Sequence, residues 1–302
     1  MPRMQPFFSI IIPTYARPAQ LAECLQALVR IEYPRERFEV IVVDDGSSVP
    51  PRPVVERFSG SLNLRFLTQT HAGPAAARNS GAAQAQGQFL AFTDDDCVPA
   101  QDWLRTLASR VATTPDHMLG GRTVNALRHN VYAATSQVII NTAYAHYNPD
   151  PNRCRFFASN NLAVPTAGFR AISGFDAAFT TSEDRDLCDR WLQHGYHMTY
   201  AVEAVVYHAH ALTFRSFWWQ HFNYGRGAFR FHRARSDRGA GPFRPELQFY
   251  RNLFRYPFVH LRGRAMFVVA LLLSMSQLAN SAGFFWEQSC RPQSRRPKLW
   301  TP

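Results

Sequence analysis

Three consecutive carboxylates, Asp94-Asp95-Asp96, follow the apolar run Phe89-Leu90-Ala91-Phe92-Thr93, and Pro99 closes the stretch. The pattern predicts a buried strand with a sharp exit. Adjacent carboxylates repel one another, so positive charge is expected among them, either a divalent cation or arginine and lysine partners. On an extended backbone Asp94 and Asp96 share a face while Asp95 points away. Hard oxygen ligands of this kind suit Mg²⁺ or Mn²⁺, often shared with a substrate phosphate. Taken alone, the triplet reads more readily as a solvated acidic turn.

Other polar clusters argue against the solvated turn. Phe8–Ile12 reads as a buried strand that stops at Pro13-Thr14-Tyr15, and Val40–Val43 as a second that stops at Asp44-Asp45-Gly46-Ser47. Leu64–Leu67 reads as a third strand, and Pro74 opens an Ala-rich helix carrying Arg78 and Asn79. Strands alternating with helices, each strand a near-continuous apolar run, predict a parallel sheet covered on both faces. Ligands of such sheets sit beyond the carboxyl ends of the strands, where Tyr15, Asp45 and the Asp triplet all fall. Further on, Gly120–Thr123 reads as a turn and strand, Val131–Tyr147 as a largely buried helix, and Phe156–Pro165 as a strand pair or one bent strand. Thr181-Ser182-Glu183-Asp184 opens a helix with Leu187, Cys188, Trp191 and Leu192 on one face. Met198–Tyr207 alternates like a strand and ends at His208-Ala209-His210.

The spacing and order of five blocks resemble the family 2 glycosyltransferases with the GT-A fold. The blocks are Ile12-Pro13-Thr14-Tyr15, Val42-Val43-Asp44-Asp45-Gly46-Ser47, Gly73 through Arg78-Asn79-Ser80-Gly81, Thr93-Asp94-Asp95-Asp96, and Gly174-Phe175-Asp176 followed by Glu183-Asp184. Each is weak alone; together they span about residues 7–212. The resemblance implies an α/β fold of Rossmann-like type, a mostly parallel central sheet flanked by helices, and an inverting transferase using a nucleotide-diphosphate sugar. It places Pro13, Thr14, Tyr15, Asp45, Arg78, Asp94 and Asp95 around the donor. Asp96 would hold Mn²⁺ or Mg²⁺, with His208 as a further ligand for which His210 competes. Asp184 would be the general base, paired with Glu183. Asn160, Trp191 and Arg226 are expected on the acceptor side. Gln220–Gly227 resembles the acceptor motif of processive relatives only loosely, so processive synthesis is not expected.

The 302 residues carry a formal charge of +11, unevenly placed. Residues 213–302 hold fourteen arginines and Lys298 against Asp237, Glu246 and Glu287, whereas residues 1–212 are near balance. A basic tail beside apolar sequence suggests an anionic membrane surface or nucleic acid. Ala265–Trp286 carries no charge and approaches the length of about 20 residues a spanning helix needs. Its stripe of Ser274, Gln277, Asn280 and Ser281 favours lying in the interface or packing on protein over crossing lipid alone. Arginines flank both ends (Arg262, Arg264, Arg291, Arg295 and Arg296), so charge sets no orientation.

The expected organisation is a catalytic domain over 1–212 and a helical, basic and aromatic tail over 213–302. The five scattered cysteines imply neither a disulfide framework nor a zinc site, and Phe7–Ile12 is too short for an export signal. These features suggest a cytoplasmic protein, peripheral on the inner membrane face, acting on a lipid-linked or glycan acceptor. A nucleotidyltransferase would need a Gly-rich phosphate loop that Pro13–Arg17 lacks. A purely binding module, on membrane or nucleic acid, would leave the acidic clusters unexplained. Nucleic acid is therefore not expected as a partner.

Overall fold

The computed structural model describes residues 5–240 and 245–290. Strands β1 (Phe8–Thr14) and β2 (Phe38–Asp44) are buried at every position. They can be so because side chains alternate between two covered faces. Ile10, Ile12, Val40 and Val42 join one core cluster under α1 (Pro18–Val29); Ile11, Ile41 and Val43 join the other, with α3 (Pro74–Gln84). The short α2 (Arg52–Glu56) leads to β3 (Leu64–Thr68), and β4 (Phe89–Thr93) lies on the other side of β1. Strands β3, β2, β1 and β4 are parallel, so their carboxyl ends share one edge.

Beyond β4 the sheet departs from the parallel expectation. It continues through β5 (Cys97–Pro99), α4 (Trp103–Val111), β6 (Met118–Asn125), α5 (Val131–Tyr147), β7 (Asn161–Pro165), α6 (Thr166–Ala171), α7 (Glu183–Gln193) and β8 (Met198–His208). The strand order is β3-β2-β1-β4-β7-β6-β8-β5. The pairs β4–β7, β6–β7 and β5–β8 are antiparallel, and β6–β8 is parallel. The turn expected at Gly120–Thr123 is absent: β6 runs straight through it with a bulge between Gly121 and Arg122. Of Phe156–Pro165 only the last five residues form a strand. The acidic triplet is a turn closed by Cys97 N–H donating to Asp94 C=O (3.1 Å), not an extended segment. Its three carboxylates therefore point in different directions, with Arg17 shared by Asp95 and Asp96.

Among the described residues the tail forms three helices, α8 (Phe214–Asp237), α9 (Leu247–His260) and α10 (Gly263–Ser289). Helix α8 opens on a reciprocal cap between Thr213 and Ser216. It packs on α10 at very short range because both contacts are glycines. A Cβ on Gly225 would lie 1.8 Å from Asn280 C=O, and one on Gly283 1.9 Å from Phe222 C=O. Glu287 of α10 then receives Arg226 and Arg230 of α8 at 2.9 and 2.8 Å. The expected flanking residues Arg291, Arg295 and Arg296 lie outside the described residues.

Candidate active site

A cavity of about 1030 Å³ opens at the carboxyl edge of β1, β2 and β4. Its floor is the β4–β5 turn, one side is the start of α7, and α5, α8 and α10 form the far wall. All the donor-side candidates line it: Pro13, Thr14, Tyr15, Asp45, Arg78 and Asp94–Asp96. Glu183, Asp184, Asn160 and His208 line it as well.

Each carboxylate of the triplet has its own partner. Asp94 accepts from Arg78 (2.7 Å). Asp95 accepts from Thr14 Oγ1 (2.7 Å) and faces Arg17 (3.4 Å). Burial pushes its carboxyl up to about 6, against the Thr14 hydrogen bond and Arg17. Asp96 meets His208 Nε2, His210 Nδ1 and Arg17, at 3.2, 3.2 and 3.1 Å. Burial alone would raise Asp96, but both histidines and Arg17 hold it well below the usual carboxylate range. Burial would likewise lower His208, yet the Asp96 hydrogen bond and charge raise it. Sequence reasoning admitted two kinds of compensating charge, and the turn shows the arginine kind outright.

Asp96, His208 and His210 each present a ligand atom within 4.8 Å of the others. One carboxylate with two imidazoles fits a divalent transition ion such as Mn²⁺ better than Mg²⁺, which prefers oxygen. Both histidines follow from β8, which pairs with β5 so that Cys97 lies opposite His208. The two rings stack at 5.3 Å.

Arg78 links the acidic turn to the start of α7. It is buried, donates to Asp94 and to Glu183 (2.9 Å), and lies 5.5 Å over the Phe175 ring. Next to it, the Asn79 amide donates to Phe175 C=O and accepts from Phe175 N–H. That clamp needs the left-handed Gly174 (φ 64°), where a Cβ would meet Asn79. Two of the sequence blocks are thereby one structural unit. Arg78→Met would leave two carboxylates without their cation. We expect it to lower the unfolding free energy by about 3 kcal/mol, the low end for breaking a buried pair. Urea unfolding at pH 7.5 reads this, and a loss under about 1 kcal/mol would mean that Arg78 does not hold these elements together.

Helix α7 begins on Ser182, a non-glycine residue in the left-handed region (φ 69°), directly before the acidic pair. Glu183 is taken by Arg78. Among the described residues Asp184 accepts only its neighbour Arg185 N–H (2.8 Å), and it is partly exposed to the cavity. Burial first, and then the Glu183 charge, push the Asp184 carboxyl up.

Several expected residues are placed differently. Trp191 is wholly buried, donates to His197 C=O (2.8 Å) and does not reach the cavity. Its neighbours Leu187 and Cys188 had already marked that face as core. Arg226 is spent on Glu287 and is not on the cavity wall. Asn160 is on the wall, held by Thr123 Oγ1 (3.2 Å). Asp45 already accepts from Gln69 Nε2, Ala72 N–H and Gly73 N–H at 2.7–2.9 Å, so it orders the loop after β3. That loop presents His71, its ring tilted against Tyr15 with centroids 4.5 Å apart, at the cavity mouth. Arg17, His71 and Tyr224 were not anticipated. Arg17 sits two residues past Tyr15 and just before α1, a position that only the left-handed Ala16 (φ 54°) aims at the triplet.

Comparison with known proteins fits this geometry. The structure aligns with a mannosyltransferase from Pyrobaculum calidifontis, solved with GDP-Man and Mn²⁺, at a TM-score of 0.62 and 20% identity, over 95% of this chain and 81% of that one. In sequence, 118 residues are 39% identical to glycosyltransferase AglE of Haloferax volcanii, covering 38% of this chain. A stretch of 182 residues, 58% of this chain, is 29% identical to a pre-mycofactocin glycosyltransferase of Mycobacterium tuberculosis. The chain spans 39% and 38% of the lengths of these two relatives. Residues 9–173, which hold β1 to α6 and the whole acidic turn, match the profile of glycosyl transferase family 2. The chain belongs to that family.

Proposed function

We propose that the chain is an inverting glycosyltransferase that moves a sugar from a nucleotide-diphosphate donor to a hydroxyl acceptor, in cell-surface polysaccharide or glycolipid assembly. The observation that carries this reading is one cavity holding both a free carboxylate of raised affinity for protons, Asp184, and the Asp96-His208-His210 cluster. The GDP-Man and Mn²⁺ complex of the Pyrobaculum enzyme supports it by analogy of fold.

On this reading Tyr15 and His71 flank the nucleotide base, and Arg17 meets the diphosphate. Asp96, His208 and His210 would hold Mn²⁺, which supplies charge neutralisation for the leaving diphosphate. Asp184 takes the proton from the acceptor hydroxyl. The acceptor oxygen attacks the anomeric carbon from the face opposite the diphosphate, the carbon–oxygen bond to the diphosphate breaks, and the configuration inverts. Arg78 holds Glu183 away from the acceptor, so Asp184 alone is available as base. A panel of nucleotide-diphosphate sugars tests this. One donor should release its nucleoside diphosphate, EDTA should stop the release, and the product anomer should be opposite to the donor's. Turnover that EDTA leaves untouched, or a retained configuration, would contradict the reading.

The same reading assigns residues 1–212 to the donor and 213–302 to the acceptor side and an anionic membrane, on the cytoplasmic face. Helix α10 is long and apolar enough to cross a membrane by length and composition. It nevertheless joins the cavity wall through Gln277, Asn280 and Ser281, which favours a helix seated on the protein. Its outer side carries Phe267, Leu271, Leu278 and Phe285, each between 61% and 66% exposed. Phe258 of α9 and the exposed Arg251, Arg255, Arg262 and Arg264 adjoin them in sequence, an apolar face with a basic margin. Each basic residue near an anionic bilayer contributes roughly 1 kcal/mol, screened by salt. The full chain should pellet with anionic vesicles at low salt and only partly come off at high salt. Phe267→Gln with Leu271→Gln should remove the salt-resistant part. A full chain that ignores such vesicles at low salt would rule the face out as a membrane element.

A further inference from the structure

Seven buried side-chain polar atoms among the described residues have no hydrogen-bond partner, and four of them belong to residues lining the cavity described above. Arg78 Nε is one. The other three are on the far wall: Ser136 Oγ on α5, and Gln220 Oε1 and His221 Nε2 on α8. Folded proteins pair nearly all such atoms, and leaving one alone is more damaging than a made bond is helpful. Three on one wall need a shared explanation.

Their setting narrows it. Tyr132, one turn before Ser136, packs on Phe217, one turn before His221, with ring centroids 5.7 Å apart. His221 is 3% exposed, wedged against Phe217 at 4.4 Å. Burial pushes its imidazole down to about 4, so near neutral pH it is uncharged. Gln220 Nε2 donates to the Tyr224 hydroxyl (2.8 Å). Turning the amide over changes which of its two groups is left, not that one is left. The Tyr224 phenol is pushed up to about 12, by burial first and, against the Gln220 bond, by the charges of Asp184, Glu183 and Asp94. This wall is thus within electrostatic reach of the base. With its histidines neutral, no lining residue from α5, α8 or α10 carries a formal charge.

We propose that the far wall is an acceptor subsite for an uncharged, hydroxyl-rich ring, a neutral glycosyl or polyol unit, seated by Ser136, Gln220 and His221 with its reacting hydroxyl turned toward Asp184. The proposal rests on the transferase reading above. Hydroxyl groups both donate and accept, so a ring on this wall offers a partner to each of these atoms once its side chain turns toward the cavity. An anionic unit would find no lining cation on α5, α8 or α10, where the neighbouring Arg185 of α7 is held over the Phe231 ring (4.7 Å), and would face Asp184 and Glu183. An apolar chain would leave the three atoms as they are.

Calorimetry on the full chain tests this with octyl glycosides of glucose, galactose, mannose and N-acetylglucosamine, kept below micelle formation, and with octyl phosphate as the anionic probe. At least one glycoside should bind saturably. Ser136→Ala, Gln220→Leu and His221→Phe should each weaken it by roughly 3- to 10-fold, the range for one neutral hydrogen bond. Ser136→Ala and His221→Phe should also melt at the same temperature or higher, because an unpaired buried polar group has been removed; Gln220→Leu also loses its bond to Tyr224 and is read by affinity alone. A purely structural role predicts the reverse, a lower melting temperature with unchanged affinity, and that result would overturn the proposal. So would octyl phosphate binding more tightly than every glycoside, or no glycoside binding at all. Donor turnover is read separately on the unaltered chain, and its absence there would count against the transferase reading alone.

Discussion

Asp184→Asn should lower turnover by about two to four orders of magnitude, the usual scale for a lost general base, while donor affinity barely changes. Asp184 stands beside the cavity with one backbone hydrogen bond, whereas Glu183 is already committed to Arg78. The raised carboxyl carries a second consequence. The base must be ionised to act, so the acidic limb of the rate profile should lie above the ordinary carboxylate value of about 4. The stability effect has the opposite sign. A carboxyl whose folded pKa exceeds its unfolded one destabilises the ionised protein as pH rises through that interval. Asp184→Asn should therefore raise the melting temperature near pH 7.5, and the gain should vanish below about pH 4, where both states are protonated. A Glu183→Gln variant that loses more turnover than Asp184→Asn would mean that the roles of the pair are reversed.

Asp96→Asn should abolish Mn²⁺-dependent donor binding while the fold survives. Asp96 is the hub of its cluster: both histidines and Arg17 converge on its two oxygens. Groups standing behind metal ligands typically matter by about 10- to 100-fold, so loss of a ligand should exceed that. His208→Ala and His210→Ala should each shift the metal response to higher Mn²⁺ concentration. Mn²⁺ should support turnover better than Mg²⁺, because two of the three donors are imidazole nitrogens. Titration of turnover against each metal reads all of this. Metal-dependent turnover that persists in Asp96→Asn would remove the cluster from the account.

Much of this site is legible in the sequence because its residues sit at the ends of unmistakable buried runs. Phe8–Ile12, Val40–Val43 and Phe89–Thr93 can only be strands covered on both faces, and three such strands in parallel bring Tyr15, Asp45 and the Asp triplet to one edge. What stays hidden depends on contacts far apart along the chain. An apolar run does not state its direction, so the antiparallel β7 and β5 are not visible. Arg226 offers no sign that Glu287, sixty-one residues later, will claim it. Arg17 reaches the triplet through one left-handed residue, a loop feature with no periodic signature. The helical tail is legible because its charge and apolarity stand out, whereas the approach of α8 and α10 at Gly225 and Gly283 beside the cavity has no such signal. Trp191, expected on the acceptor side, lies in the core, where its helical spacing with Leu187 and Cys188 points.

The most direct test of the central claim is donor binding by the unaltered full chain, followed by thermal denaturation with Mn²⁺ present and absent. A ligand at a hundred times its dissociation constant stabilises the folded state by about 2.7 kcal/mol, a shift of a few degrees for a chain of this size. The account predicts that one nucleotide-diphosphate sugar gives such a shift with Mn²⁺, and that the shift collapses with EDTA or in Asp96→Asn. A panel of sugar nucleotides that leaves the melting temperature unmoved with Mn²⁺ present, or moves it equally without metal, would contradict it.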